Sequence, residues 1–121
     1  MSMPIGQIAL TVGDVERSVA FYRDTLGLRF LFAPAPTLAF LDSDGIRLML
    51  STGEGDFTPG SSTVLYFRVA DIEAEHAAMS ARGAAFIDSP HLVAKMPDHE
   101  LWMCFLRDPD GHTLALMCEK R

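Results

Sequence analysis

The chain repeats itself, and this duplication limits its possible folds more than any other feature. The pattern apolar-x-apolar-x-Val-x-Asp-apolar-Glu occurs at residues 8–16 and returns 57 residues later at residues 65–73. A second block, residues 40–50, returns 66 residues later at residues 106–116. Two blocks that recur in the same order indicate one supersecondary unit built twice. The larger second offset predicts extra residues in the second copy, near residues 90–100.

Each copy is predicted to contain one helix. Asp14 and Asp71 stand where an N-cap is needed, and a glutamate follows each of them in the first helical turn. The helices are expected over about 15–26 and 72–82. A glycine directly follows each helix, and glycine can take the left-handed conformation that ends one.

The remaining apolar runs predict strands that pair into an antiparallel sheet. Residues 7–12 alternate strictly between apolar and polar or small side chains, which is typical of a half-buried strand. Asp44-Gly45 and Asp110-Gly111 are short-hairpin signals. One helix packed against a one-sided sheet, formed twice, gives an α+β fold. The other predicted strands are 30–32, 38–41, 46–50, a counterpart of the first strand around residue 67, 85–87, 101–107 and 113–117.

The charge balance and the cysteines set limits on location and partners. The net charge is −6 over 121 residues with no cluster of Lys and Arg, which argues against a nucleic-acid partner. No apolar run approaches the roughly 18 residues of a membrane helix, and the first residues do not resemble a signal peptide. We therefore expect a cytoplasmic protein, free of membrane partners, with Cys104 and Cys118 as reduced thiols.

Two motifs resemble the vicinal oxygen chelate superfamily, which includes glyoxalase I, bleomycin-resistance proteins and extradiol dioxygenases. They are DVERSVAFYRDTLGL at residues 14–28 and RDPDGH at residues 107–112. The resemblance implies two tandem β-α-β-β-β modules that form a curved, mostly antiparallel eight-stranded sheet around a cavity. The boundaries expected on this basis are 1–121 for a single domain, about 5–52 for module one, about 53–62 for the linker and about 63–118 for module two.

The same resemblance implies where metal-dependent members would hold a divalent ion. Those positions, on the first and fourth strands of each module, correspond here to Gln7, Met49, Val64 and Ala115. Only Gln7 offers an oxygen donor, and a thioether is a poor ligand for Mn, Fe or Zn in an oxygen-rich site. We therefore predict no metal at the superfamily positions and no cofactor, with a divalent metal on an unconventional ligand set left as an alternative.

Strand alternation predicts which residues face the cavity. On the side opposite the large aliphatic residues, Arg47 or Arg68, helped by Gln7 and Tyr66, would bind a carboxylate or another anion. Alternatively, both arginines extend into solvent from strand ends. The predicted ligand-binding residues are Gln7, Arg47, Met49, Tyr66, Arg68, Trp102 and Met117.

The histidines provide the candidates for acid–base catalysis. His91 and His99 fall in a segment predicted to be a long loop, residues 88–100, and long loops over a sheet are candidates for lids. A histidine can serve as a base near neutral pH, although two histidines in a polar loop can equally be solvated. His76 is expected to pack on a helix face, and His112 is expected to be exposed.

These residues favour a protein that binds a small organic molecule, an anion among the candidates, without the superfamily's metal site. The alternative is an enzyme, metal-free with a loop histidine as base or using an unconventional metal site. A lyase or isomerase is then favoured over a ring-cleaving dioxygenase, because ring cleavage needs iron held by two histidines and a carboxylate. A third hypothesis is a structural module without a ligand. Exposed sheet edges need covering, so a homodimer is expected in each case.

Overall fold

The computed structural model describes residues 2–53 and 63–121. The chain divides into two compact units, residues 1–59 and 60–121. Apart from Gly53, the predicted linker lies outside the described residues. The first unit contains β1 (Gln7–Thr11), α1 (Val15–Ala20), β2 (Arg29–Ala35), β3 (Leu38–Ser43) and β4 (Ile46–Ser51). The second contains β5 (Leu65–Arg68), α2 (Ile72–Ala81), β6 (Ala85–Phe86), β7 (His91–Lys95), β8 (Glu100–Arg107) and β9 (Thr113–Lys120).

The first sheet has the strand order β1-β4-β3-β2. β1 and β4 are parallel neighbours, and the other pairs are antiparallel. Helix α1 packs against β3 and β4. Leu10, Leu41 and Leu48 are buried on that side of the sheet. The alternation seen in the sequence therefore places one face of this sheet in the core and leaves the other face open.

The second sheet repeats this plan with one more strand. Its order is β5-β9-β8-β6, and β7 also pairs with β8. β5 and β9 are parallel, as β1 and β4 are in the first sheet. Helix α2 packs against β8 and β9, where Leu106, Leu114 and Leu116 are fully buried.

The predicted N-caps are confirmed in both units. The Asp14 carboxylate accepts a hydrogen bond of 3.1 Å from the Arg17 amide, and the Asp71 carboxylate accepts one of 3.1 Å from the Ala74 amide. The first helix does not stay α-helical to its predicted end. It changes after Ala20 into a π-helical turn, in which the Leu26 amide donates to the Phe21 carbonyl.

The two predicted hairpins differ. Asp44 and Gly45 have φ angles of 49° and 97° and form a two-residue turn between Ser43 and Ile46, as expected for an Asp-Gly hairpin. In the second hairpin, the predicted strand ends at residues 107 and 113 are confirmed, but Asp110-Gly111 does not form a two-residue turn. Arg107 pairs with Thr113, so a loop of five residues separates β8 from β9.

His112 lies in this longer loop, and its predicted exposure is wrong. It is only 3% exposed. The Asp108 carboxylate accepts hydrogen bonds from the amides of Asp110 and His112, at 2.9 and 2.8 Å. The Asp108 amide in turn donates to the His112 carbonyl, so the loop folds back on itself and carries the imidazole inward.

The predicted long loop over residues 88–100 is also corrected, because His91–Lys95 forms β7. A register shift between Leu92 and Ala94 interrupts the alternation of side chains, so this strand has no period-two pattern in the sequence. In the described part of the chain the strands number nine, in sheets of four and five, where eight were expected. Neither of the α-helices described there has the length and apolar character needed to cross a membrane.

Candidate functional site

The open face of the first sheet brings together several residues predicted from the sequence. Register places Gln7 beside Arg47 across β1 and β4. In the next row, Met49 of β4 lies beside Phe40 of β3, which lies beside Phe32 of β2. Gln7, Arg47, Met49 and Phe40 alternate with side chains that face α1, and Phe32 pairs with Phe40, so all five lie on the face opposite α1.

Arg47 is held in place by neighbours on this face. Its Nε group donates a 2.8 Å hydrogen bond to the Gln7 Oε1 atom. Its guanidinium carbon lies 5.1 Å from the centre of the Phe40 ring, within the range of a cation–π contact. The Gln7 amide nitrogen points to the Met49 sulfur, 3.8 Å away. Arg47 thus has a fixed orientation, and its Nη groups have no hydrogen-bond partner among residues 2–53.

Two phenylalanines extend this surface, and the sequence analysis missed both. The ring centres of Phe32 and Phe40 are 5.0 Å apart, with the ring planes at 34°. Phe32 is 48% exposed, so about half of its side chain is open to contact with another molecule. Counting back from the Asp44-Gly45 turn pairs Phe40 with Met49, so the sequence did contain a signal for this placement. We call Gln7, Arg47, Met49, Phe40 and Phe32 the Arg47 platform.

The second sheet has an open face of its own. One row contains Tyr66, Ala115 and Phe105. The Tyr66 and Phe105 rings meet edge to face with centres 6.2 Å apart, and Ala115 between them is fully buried. The next row contains Arg68, Met117, Met103 and His91 on four neighbouring strands. Arg68 and Tyr66 are therefore on the predicted face, whereas Ala115 does not reach solvent.

Trp102 lies on the other side of this sheet, away from the predicted ligand-binding set. It pairs with Cys118, which shares the α2 side with the buried leucines. The Lys120 ammonium lies 3.9 Å from the centre of the indole ring and also bonds to Glu73 of α2. The indole nitrogen donates to Glu100 at 3.1 Å. This position supports packing beside α2 and removes Trp102 from the open face.

The two catalytic candidates are not brought together. His91 begins β7, and its Nδ1 atom lies 2.9 Å from the Ser89 carbonyl oxygen. His99 lies in the turn at the other end of the β7–β8 hairpin, with Nδ1 2.7 Å from a carboxylate oxygen of Asp98. His99 borders a shallow cleft with Lys95, Glu100, Lys120 and Arg121. His76 packs on Phe86 with ring centres 4.2 Å apart, as expected of a packing residue.

The superfamily's metal positions carry few donors that suit a divalent ion. Gln7 Oε1 already accepts from Arg47, and Met49 offers only a thioether. Val64 and Ala115 have hydrocarbon side chains. Within residues 2–53 and 63–121, no three His, Cys, Asp or Glu side chains group closely enough to hold a metal ion.

Comparison with known proteins decides the family. The sequence model of the Glyoxalase/Bleomycin resistance protein/Dioxygenase superfamily matches residues 4–116. This chain belongs to that superfamily. A curated relative, a probable lactoylglutathione lyase from Vibrio cholerae, is 30% identical over 93% of this chain and 88% of its own length.

Solved structures of the superfamily share the fold. A lactoylglutathione lyase from Agrobacterium tumefaciens superposes with a TM-score of 0.76 at 19% identity, covering 97% of this chain and 94% of that one. TnmS3, an antibiotic-binding protein from Streptomyces sp. CB03234, gives a TM-score of 0.79 at 23% identity over 98% of both chains. At these identities the match establishes only that the fold is shared. The function of this chain therefore depends on its own side chains.

Proposed function

We propose that this protein binds a small planar organic anion on the Arg47 platform, without the superfamily's divalent metal. The observation that carries the proposal is the 2.8 Å hydrogen bond from Arg47 to Gln7. In this bond the side-chain oxygen of Gln7, the only oxygen donor at the superfamily's metal-ligand positions, orients the guanidinium of Arg47. A divalent cation at Gln7 would lie beside that positive charge, which disfavours its binding.

The chemistry of the platform matches an aromatic carboxylate or a similar anion. A guanidinium presents paired N–H groups that fit the two oxygens of a carboxylate, and such charge-assisted pairs are among the stronger hydrogen bonds. The exposed Phe32 ring and its neighbour Phe40 offer a surface for an aromatic ring to pack on. The Met49 thioether adds an adaptable apolar contact. Ligand sites commonly combine such apolar surface with a few placed polar groups.

A solved structure with the same fold has a binding function of this class. TnmS3 is described as an antibiotic-binding protein, so this architecture can accommodate an organic molecule. The proposal for the present chain rests on Arg47, Phe32 and Phe40, and the relative supports only the class of ligand.

Titration calorimetry with matched ligands tests the proposal. We expect an aryl carboxylate to bind, and the corresponding neutral aryl amide and an aliphatic carboxylate to bind more weakly. Replacing Arg47 by Gln should weaken the aryl carboxylate about tenfold to a hundredfold, since it removes a charged hydrogen-bond donor. Arg23→Gln is the control, because Arg23 lies in the π-helical turn of the same unit and pairs with Asp24. Equal affinities for the carboxylate in wild type and Arg47→Gln would refute the proposal.

A second candidate function is a lyase or isomerase reaction, favoured by the 30% identity to a probable lactoylglutathione lyase. Elemental mass spectrometry after incubation with Mn, Fe, Ni and Zn separates the two candidates. The binding proposal expects less than about one-tenth equivalent of any of these metals, because three suitable protein ligands are needed to hold one. Near-stoichiometric retention of one metal, lost in Gln7→Ala, would make the metal-dependent reaction the leading function.

A further inference from the structure

Three side chains with related chemistry stand in one row on the open face of the second sheet. Met117 of β9 pairs with Met103 of β8, and Met103 pairs with His91 of β7. Paired residues on neighbouring strands have Cβ atoms about 5 Å apart and point to the same side. The two thioethers are partly buried and the imidazole is exposed. We call Met117, Met103 and His91 the thioether row.

The imidazole of this row is fixed in the form that can bind a metal. His91 Nδ1 lies 2.9 Å from the Ser89 carbonyl oxygen, which can only accept a hydrogen bond. Nδ1 therefore carries the proton, and in the neutral ring Nε2 keeps a lone pair. Metal-binding histidines generally donate their second N–H to a carbonyl or a carboxylate in this way.

A nearby carboxylate reinforces the arrangement. An Asp88 oxygen lies 3.7 Å from His91 Nδ1, and the other Asp88 oxygen accepts a 2.8 Å hydrogen bond from the Phe105 amide. The backbone of β8 thus holds Asp88 beside the imidazole. The negative charge of Asp88 would partly neutralise the positive charge of a cation bound at Nε2 of His91.

The donor set determines which ion fits. Thioethers are soft ligands that select Cu(I) over Mn, Mg or Ca, and imidazole also suits copper. Arg68 lies next to Met117 in the same row, and a monovalent ion is repelled less by that guanidinium than a divalent one. The row contains no residue of the superfamily's ligand positions.

We propose that Met117, Met103 and His91 bind one Cu(I) ion on the open face of the second sheet. The site is independent of the Arg47 platform, which lies in the first unit. The ordinary structural role of partly exposed methionines is to provide an adaptable apolar surface. That role predicts no metal affinity, and this difference makes the proposal testable.

Methyl-labelled methionine gives a direct test by NMR, with Ag(I) as a redox-stable substitute for Cu(I). The chain has seven methionines, and each methyl signal can be assigned from a Met→Leu variant. At one equivalent of Ag(I), the signals of Met103 and Met117 should shift while that of Met96, an exposed residue outside the row, stays in place. The proposal is wrong if neither signal moves, or if signals outside the row move instead.

Competition with a chromogenic Cu(I) chelator under anaerobic conditions measures the affinity. Met103→Leu, Met117→Leu and His91→Gln should each weaken Cu(I) binding about tenfold or more, and Met96→Leu should not. Leucine and methionine have similar volumes, so thermal unfolding should confirm that the variants remain folded. If Cys104 and Cys118 held the ion, the methionine variants would bind it as tightly as wild type, and that result would overturn the proposal. Arg47→Gln should bind Cu(I) like wild type, so this test stands apart from that of the anion site.

Discussion

At the scale of single residues, Cys104 shows how the core controls reactivity. Its side chain is fully buried on the α2 side of the second sheet. Burial, with a smaller contribution from the negative charge of Asp88, raises the pKa of the Cys104 thiol to about 11. The reactive thiolate form is thus nearly absent at neutral pH.

We expect native Cys104 to react very slowly with iodoacetamide. A pKa of about 11 in place of the ordinary 9.0 lowers the thiolate population roughly a hundredfold, and burial blocks the reagent further. Peptide mass spectrometry of protein labelled with and without denaturant measures this rate. Modification of Cys104 at the same rate in native and denatured protein would contradict the assignment.

Sequence alternation identified much of both open faces but not all of their members. Gln7, Arg47, Met49, Tyr66, Arg68 and Met117 lie on the expected sides because short strands keep their period. Trp102 was predicted to bind ligand as a stacking surface, without a strand pairing to place it. The pairing of Arg107 with Thr113 puts Trp102 beside Cys118, on the α2 side of the sheet.

At the scale of elements, the β3–β4 hairpin depends on backbone conformation more than on side-chain contacts. Gly45 has a φ of 97°, and a Cβ added there would meet nothing within 4 Å. Gly45→Ala should therefore lower the free energy of unfolding by about 1 kcal/mol through backbone strain alone. Urea unfolding monitored by circular dichroism measures the change.

Gly6 provides a matched control for this prediction. A Cβ at Gly6 also meets nothing within 4 Å, and its φ lies outside the left-handed region. Gly6→Ala should leave stability nearly unchanged. Equal effects of the two substitutions would show that the turn conformation does not limit stability.

Other elements could not be predicted because their cause lies outside local sequence. The π-helical turn at Phe21–Thr25 keeps the apolar spacing of a helix while its hydrogen bonds reach one residue further. β7 forms by pairing with the edge of β8. The bulge in β7 interrupts the alternation of side chains from which a strand could be predicted. The helix caps and the Asp44-Gly45 turn were predictable because a few adjacent residues determine them.

At the scale of the whole chain, a charged network joins the last residue to the β7–β8 turn. Arg121 donates to Asp98 at 2.8 Å and to Glu119 at 3.0 Å, while His99 bonds to the other oxygen of Asp98. The hydrogen bond from Arg121 is the main cause of a lowered Asp98 pKa, and His99 adds to it. The network therefore stabilises the folded state when Asp98 is ionised.

The lowered pKa of Asp98 determines how stability depends on pH. Because the folded-state pKa is below the ordinary 3.8, the stabilisation is present above pH 3.8 and is lost as the pH falls through the folded value. Asp98→Asn should lower the Tm at pH 7, and the difference from wild type should vanish in strong acid. Thermal unfolding across this range measures it. In an Arg121→Gln background, Asp98→Asn should lower the Tm by a smaller amount. An equally large decrease would mean that Arg121 is not the partner through which Asp98 stabilises the fold.

In each unit the first and last strands pair in parallel, and this pairing sets the order in which the nascent chain can fold on the ribosome. β1 cannot pair until β4 exists, since Gln7 lies beside Arg47, 40 residues later. At about 5–20 residues per second, this interval takes roughly 2–8 seconds. Meanwhile α1 has emerged without β3 and β4, the strands it covers. The second unit repeats the delay between Leu65 and Leu114. The apolar side chains of each helix, such as Val19 in α1 and Ile72 in α2, therefore lack the strands that bury them for seconds, which gives chaperones two successive opportunities to bind.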